Sequence, residues 1–223
     1  AGCIVFFKVN QFEVYGNSRY SAEEVVKASG VSTGDNLCLV KKTEAAGKVL
    51  SNLSYVRSVN IRRKLPDTIV ITVVETEAVA AVQTENKWWL INPEGKLLEE
   101  VEDPRDYIKI SGLTLMAPAI GDTITVKADF RLIRSSLIEL LTAMQGRDML
   151  EKIRSIDCGN EAQLVMNYNG QLKVKMLADA DYDYEVKMLE AVLKKYVDVN
   201  WTKGDKGTLD MTYDDGHPHL TKD

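Results

Sequence analysis

The chain has 223 residues with 28 Lys and Arg against 33 Asp and Glu, a net charge of −5, and 45% hydrophobic and 27% charged residues. That balance fits a globular protein of one large or two small domains, outside the disordered and fibrous classes. It also speaks against a nucleic-acid binder, which needs a clustered cationic surface. No run of about 18 apolar residues is present, so the chain as given holds no membrane span. Cys3, Cys38 and Cys158 are odd in number and far apart, which suits neither a zinc site nor a complete disulfide framework. His217 and His219 in "GHPH" read as an exposed terminal tail and not as metal ligands. The apolar start "AGCIVFF" lacks a signal peptide's basic region and cleavage site, and is expected to be the stump of a longer segment.

In chain order, "FKVNQFEVYGN" places Val9, Phe12 and Val14 on a strand closed by Gly16-Asn17. A helix follows, with Ser21 as N-cap, Glu24 completing a capping box, an apolar stripe of Val25, Val26 and Ala28, and Gly30 at the position just past its end. Val40, Ala45, Val49 and Leu53 predict a second helix across about Lys41 to Leu53, weakened by Gly47. "YVRSVNIRRK" then alternates, with Val59 and Ile61 opposite Ser58, Asn60 and Arg62, and "TIVITVVE" aligns Ile69, Ile71 and Val73. Leu65-Pro66-Asp67 joins the two as a tight turn, because Pro fixes φ and Asp stabilises turns through its side chain. Arg57, Arg62, Arg63 and Lys64 read as a solvated strand face, with a phosphate or lipid-headgroup contact as the alternative.

"FEVYGNSRYSAEEVVKASGVSTGDNL" followed by "YVRSVNIRRKLPDTIVITVVETEAVA" resembles the POTRA domain of the FtsQ/DivIB bacterial cell-division proteins. Arg63, Pro66, Glu75, Val79 and Ala80 match the family's hairpin and exit, while Ala78 stands where proline is common. The resemblance implies an α+β protein: an N-terminal β-α-α-β-β POTRA domain over 8–77, then a β-rich domain with packed helices over 78–216, and a tail over 217–223. Pro66 would end one strand of a three-stranded sheet covered by two helices.

Further along, "WWLINPEGKLLEE" reads as a hairpin with Asn92 where the family has an acid, and "YIKISGLTLMAPAIGDTI" as the next strand with its Gly-Leu exit. From about Lys127 to Gln145, Phe130, Ile133, Leu137, Leu140, Leu141 and Met144 form an apolar helical stripe. "QLVMNYNGQLKVKM" is a hairpin whose Asn169-Gly170 suits a type I′ turn. A last helix, about Asp183 to Val197, is expected to bury Val186, Leu189, Leu193 and Tyr196. In the closing strand "GTLDMTYDDG", Leu209, Met211 and Tyr213 share one face.

Enzyme motifs are missing. Asp181, Asp183 and Glu185 sit at a helix start, where acids suit the dipole. Ser32-Thr33-Gly34-Asp35 lacks the spacing of a phosphate loop, and the serines lack a histidine in the body of the chain to act as base. No catalytic residue, metal, cofactor or small-molecule substrate is therefore expected. What the resemblance implies is a non-enzymatic scaffold at the division septum: the extracytoplasmic part of a single-span membrane protein that binds partners of the FtsB/DivIC and FtsL type. Tyr213, Asp214, Asp215 and Gly216 match the family's terminal Tyr-Asp-x-Gly strand, implicated in gripping such partners, although Asp215 replaces a frequent small hydroxyl residue. Tyr213 is then either a partner anchor or a residue packed on its own sheet. The alternative is a POTRA-bearing transport component that receives polypeptide substrates, for which repeated POTRA units or a long series of amphipathic strands would be needed.

Overall fold

In the computed structural model, residues 7–84, 87–202, 204–213 and 217–223 are described. The chain divides into two compact units, the first running to Glu77 with Ile120–Asp122 added, the second comprising Ala78–Ala119 and Thr123–Asp223.

The first unit is β1 (Gln11–Tyr15), α1 (Ala22–Ser29), α2 (Lys42–Asn52), β2 (Val56–Lys64) and β3 (Thr68–Glu75). Its sheet has the order β1-β3-β2, with β1 parallel and β2 antiparallel to β3. Helix α1 begins where the Ser21 hydroxyl accepts the Glu24 N–H and the Glu24 side chain accepts the Ser21 N–H, and it ends at Gly30 with φ 70°. Together these satisfy end groups that a helix cannot pair internally. Between β1 and α1 the chain passes against β3: a side chain on Gly16 would meet the Val73 carbonyl oxygen at 2.0 Å. Val25, Ala28, Ala45 and Val49 from the helices bury against Ile61, Ile69, Ile71 and Val73 from the sheet. Each such aliphatic side chain contributes about 1.5–3 kcal/mol when fully buried.

The second unit is built on a nine-stranded sheet among the described residues, in the order β12-β11-β10-β9-β8-β7-β4-β5-β6. Its strands are β4 (Ala80–Gln83), β5 (Trp88–Ile91), β6 (Leu97–Val101), β7 (Ile108–Ser111), β8 (Ile153–Asn160), β9 (Gln163–Tyr168), β10 (Leu172–Leu177), β11 (Gly207–Asp210) and β12 (His219–Lys222). Helix α3 (Arg131–Gln145) connects the parallel pair β7/β8, and α4 (Tyr182–Val192) connects the parallel pair β10/β11. Both helices pack on the core face, where Ile133, Leu137, Leu140, Val186 and Leu189 meet Ile156, Met166 and Val174. Along β10, Leu172, Val174 and Met176 are buried while Lys173 and Leu177 face solvent, the period-2 pattern of a sheet covered on one side. The β9/β10 hairpin turns through Asn169 and Gly170, both with positive φ, as a type I′ turn requires. In the β5/β6 hairpin the buried Asn92 side chain accepts the Lys96 N–H at 2.8 Å, so its amide closes the turn.

Three features depart from expectation. Strand β8 has no clear signal in the sequence, because register shifts between Ile153 and Ser155 and between Asp157 and Asn160 break its alternation. Tyr196 is 45% exposed and Val197 is buried in its stead. Beyond α4, residues Leu193–Val197 form a π turn, closed by Asp198 N–H donating to the Leu193 carbonyl at 2.8 Å, and the wider turn shifts the buried phase by one residue. The third is the C-terminus: His219–Lys222 is not a loose tail but β12, paired antiparallel with β11.

Candidate partner-binding edge

Strand β11 is shorter than "GTLDMTYDDG" suggests. Leu209 and Met211 are buried, but the strand stops at Asp210, whose carboxylate accepts the Thr212 N–H at 3.1 Å and the Thr212 hydroxyl at 2.7 Å. This Asx-type turn takes the chain out of the ladder before Tyr213. Burial raises the Asp210 carboxyl, but the Thr212 hydroxyl and amide and the Lys175 ammonium at 3.1 Å outweigh it, so the group is held below its ordinary range.

Tyr213 leaves the β11 ladder but stays against the edge of its own sheet. It is 54% exposed, and its ring lies against that of His219, centroids 4.2 Å apart and tilted by 41°. Asp214, Asp215 and Gly216 lie outside the described residues. The edge of the sheet on this side is β12, which pairs Gly207 with Lys222, Thr208 with Thr221, Leu209 with Leu220 and Asp210 with His219. The edge therefore passes to the last strand of the chain.

The Lys222 end of β12 is pinned. Lys222 Nζ meets Asp205 at 2.8 Å and lies 5.8 Å from the centre of the Trp201 ring, while Asp205 also accepts the Thr202 N–H at 2.7 Å. Lys222 and the Thr202 amide together keep the Asp205 carboxyl low. A side chain on Gly207 would meet the Thr221 carbonyl oxygen at 2.3 Å and Trp201 at 2.7 Å, so only glycine lets β12 come this close. The opposite edge, β6, carries Glu99 and Glu100 and runs on into Glu102 and Asp103, charges that repel an incoming strand. β12 presents His219, Leu220, Thr221 and Lys222, no acid within the strand itself and Asp223 directly after it.

Elsewhere in the second unit, a cleft of about 730 Å³ is lined by Glu139, Arg147, Asp181 and Asp183 among others. Asp181 is engaged as the N-cap of α4, accepting the Tyr184 N–H at 3.2 Å, and Arg147 on the same wall pairs with Glu190 at 3.2 Å. Among the described residues no group of three or more His, Cys, Asp or Glu could hold a metal ion.

Residues 7–76 match the model of the POTRA domain, FtsQ-type. The chain is 26% identical over 205 residues to the cell division protein DivIB of Clostridium acetobutylicum, covering 88% of this chain and 80% of that protein. Over most of its length the chain is thus similar to proteins of the FtsQ/DivIB family. The cell division protein FtsQ of Corynebacterium glutamicum is 24% identical, with 86% of this chain and 81% of that one covered. The solved major extracytoplasmic domain of DivIB from Geobacillus stearothermophilus is 17% identical, with a TM-score of 0.33 over 57% of this chain and 98% of that one. The chain carries an FtsQ-type POTRA domain followed by a β-rich domain, and the relatives it resembles are named cell division proteins.

Sequence reasoning singled out Tyr213 but missed His219 and β12 as its surroundings. The sequence carried little signal for it, since "HLTK" after Pro218 holds a single apolar residue.

Proposed function

We propose that this FtsQ/DivIB-like chain is a non-enzymatic scaffold of the division septum, the extracytoplasmic region of a single-span membrane protein, and that it grips partners of the FtsB/DivIC and FtsL type at the β12 edge. One observation carries the reading: an acid-free edge strand lies beside an exposed tyrosine already held against His219. An incoming strand satisfies the edge's backbone groups, and an aromatic ring supplies contact area at little entropy cost. Asp214, Asp215 and Gly216 belong to the same proposed grip.

The test compares Tyr213→Ala with the parent chain for melting temperature and for affinity to a DivIC-type ectodomain. We expect an unchanged Tm and an affinity loss of about 2 kcal/mol, the scale of an aromatic hot spot. A folded variant that binds as tightly as the parent would rule out the anchor.

A further inference from the structure

Three segments distant in sequence meet at one end of the POTRA unit. Lys8 bridges Asn36, and the Leu37 N–H donates to the Phe7 carbonyl at 2.8 Å. The Asn10 N–H donates to the Asp67 carbonyl at 2.9 Å, and Arg63 Nη2 donates to the Val40 carbonyl at 2.6 Å. The entering chain, the loop before α2 and the β2/β3 hairpin tip therefore form one surface. It exposes Lys8, Lys41, Lys42 and Arg63 around two leucines, Leu39 at 65% and Leu65 at 66% exposure.

Stability of the fold alone does not account for these residues. Lys41 occupies the N-cap of α2 without a side-chain capping bond, and Lys42 follows at the first helical position. Two cations there oppose the helix dipole, and the N-cap forgoes the Ser, Thr, Asp or Asn that α1 uses. The leucines leave apolar surface in water. Acids lie at this end too and keep their charge: Asp35 accepts the Ser32 N–H at 2.8 Å, Asp67 the Thr68 hydroxyl at 3.1 Å, and Glu44 pairs with Lys41 at 3.4 Å and Lys48 at 3.2 Å, so Lys8, Lys42 and Arg63 are the cations of this tip with no carboxylate partner among the described residues. The first 77 residues are net positive although the whole chain is at −5.

We propose that this tip is a membrane-surface contact: the cations meet anionic lipid headgroups, and Leu39 and Leu65 enter the headgroup boundary. The combination fits an anionic bilayer better than a soluble anion, since charge attracts and the apolar residues need a place out of water. The inference rests on the reading of the chain as part of a membrane-anchored division protein, and it gives the POTRA unit a fixed end toward the bilayer.

The experiment is sedimentation of the chain, with no span added, with vesicles of phosphatidylglycerol and phosphatidylcholine, against pure phosphatidylcholine. Binding is expected on the anionic vesicles only, falling as salt rises. Lys41→Ser with Lys42→Gln should weaken it about 25-fold, at about fivefold per cation, while the Tm holds or rises because the dipole conflict is removed. Leu39→Ser with Leu65→Ser should weaken it by about a hundredfold. Equal binding to neutral vesicles, no binding, indifference to both variants, or equal binding to soluble polyphosphate without dependence on the leucines would each overturn the proposal. The assay contains lipid and no division partner, so its failure is distinct from a failed Tyr213 test.

Discussion

The carboxylate of Glu75, at the end of β3, accepts the backbone N–H of Arg19 at 2.8 Å, along with those of Ser18 at 3.0 Å and Tyr20 at 3.2 Å. The last residue of the POTRA sheet thus closes the loop that leads into α1, and the Arg19 guanidinium lies 3.6 Å above the Tyr55 ring. Burial raises the Glu75 carboxyl, but the three N–H donors and Arg19 outweigh it and hold the group below its ordinary 4.5. A depressed folded value means that its stabilisation is present above the unfolded value and is lost as pH falls through the folded one. Glu75→Gln should cost roughly 1–2 kcal/mol at pH 7 and flatten the acid limb of stability. Thermal melts of both proteins from neutral to acid pH check this, and parallel acid limbs would refute it.

The POTRA core closes within its own unit, from Val9 through Val25 and Val49 to Ile69 and Ile71. A fragment ending near Glu77 should therefore unfold cooperatively in urea, with a midpoint of its own. A fragment disordered in buffer would show that this core needs the second half of the chain.

Gly207 decides whether β12 can dock. Gly207→Ala drives a methyl group into the Thr221 carbonyl and the Trp201 ring, and should destabilise the second unit by about 2 kcal/mol. Hydrogen exchange should show the loss concentrated in β12, with partner affinity falling alongside. Unaltered protection of Leu220 and Thr221 would contradict the tight approach.

Cys158 is fully buried on β8, and burial, with the Asp157 charge beside it, pushes its thiol up to about 12. Only the thiolate alkylates readily. Iodoacetamide at pH 8 followed by peptide mapping should label the half-buried Cys38 in the native protein and Cys158 only after unfolding. Comparable labelling of both in the native state would show that the second unit opens.

Local interactions were legible in the residues themselves. The Ser21/Glu24 box, Gly30, the Leu65–Asp67 turn and the Asn169-Gly170 turn each act within a few residues, so β-α-α-β-β and the later hairpins follow from short stretches. The stripes of α3 and α4 follow likewise, since a helical period is a local property. Only the tertiary structure decided which strand lies at the edge, because "HLTK" becomes a strand by pairing with β11 and has little propensity of its own. The exposure of Tyr213 depends on Asp210 turning the chain outward while β12 takes the edge. The phase slip to Val197 depends on a π turn, and β8 on bulges set by its neighbours. The basic, leucine-bearing tip is the clearest case: residues 8, 39–42 and 63–65 are unremarkable apart and become one surface only when backbone pairing brings them together. Periodicity carries which face of an element is apolar, but contacts between residues distant in the chain leave no periodic trace, and those contacts determine both edges and surfaces.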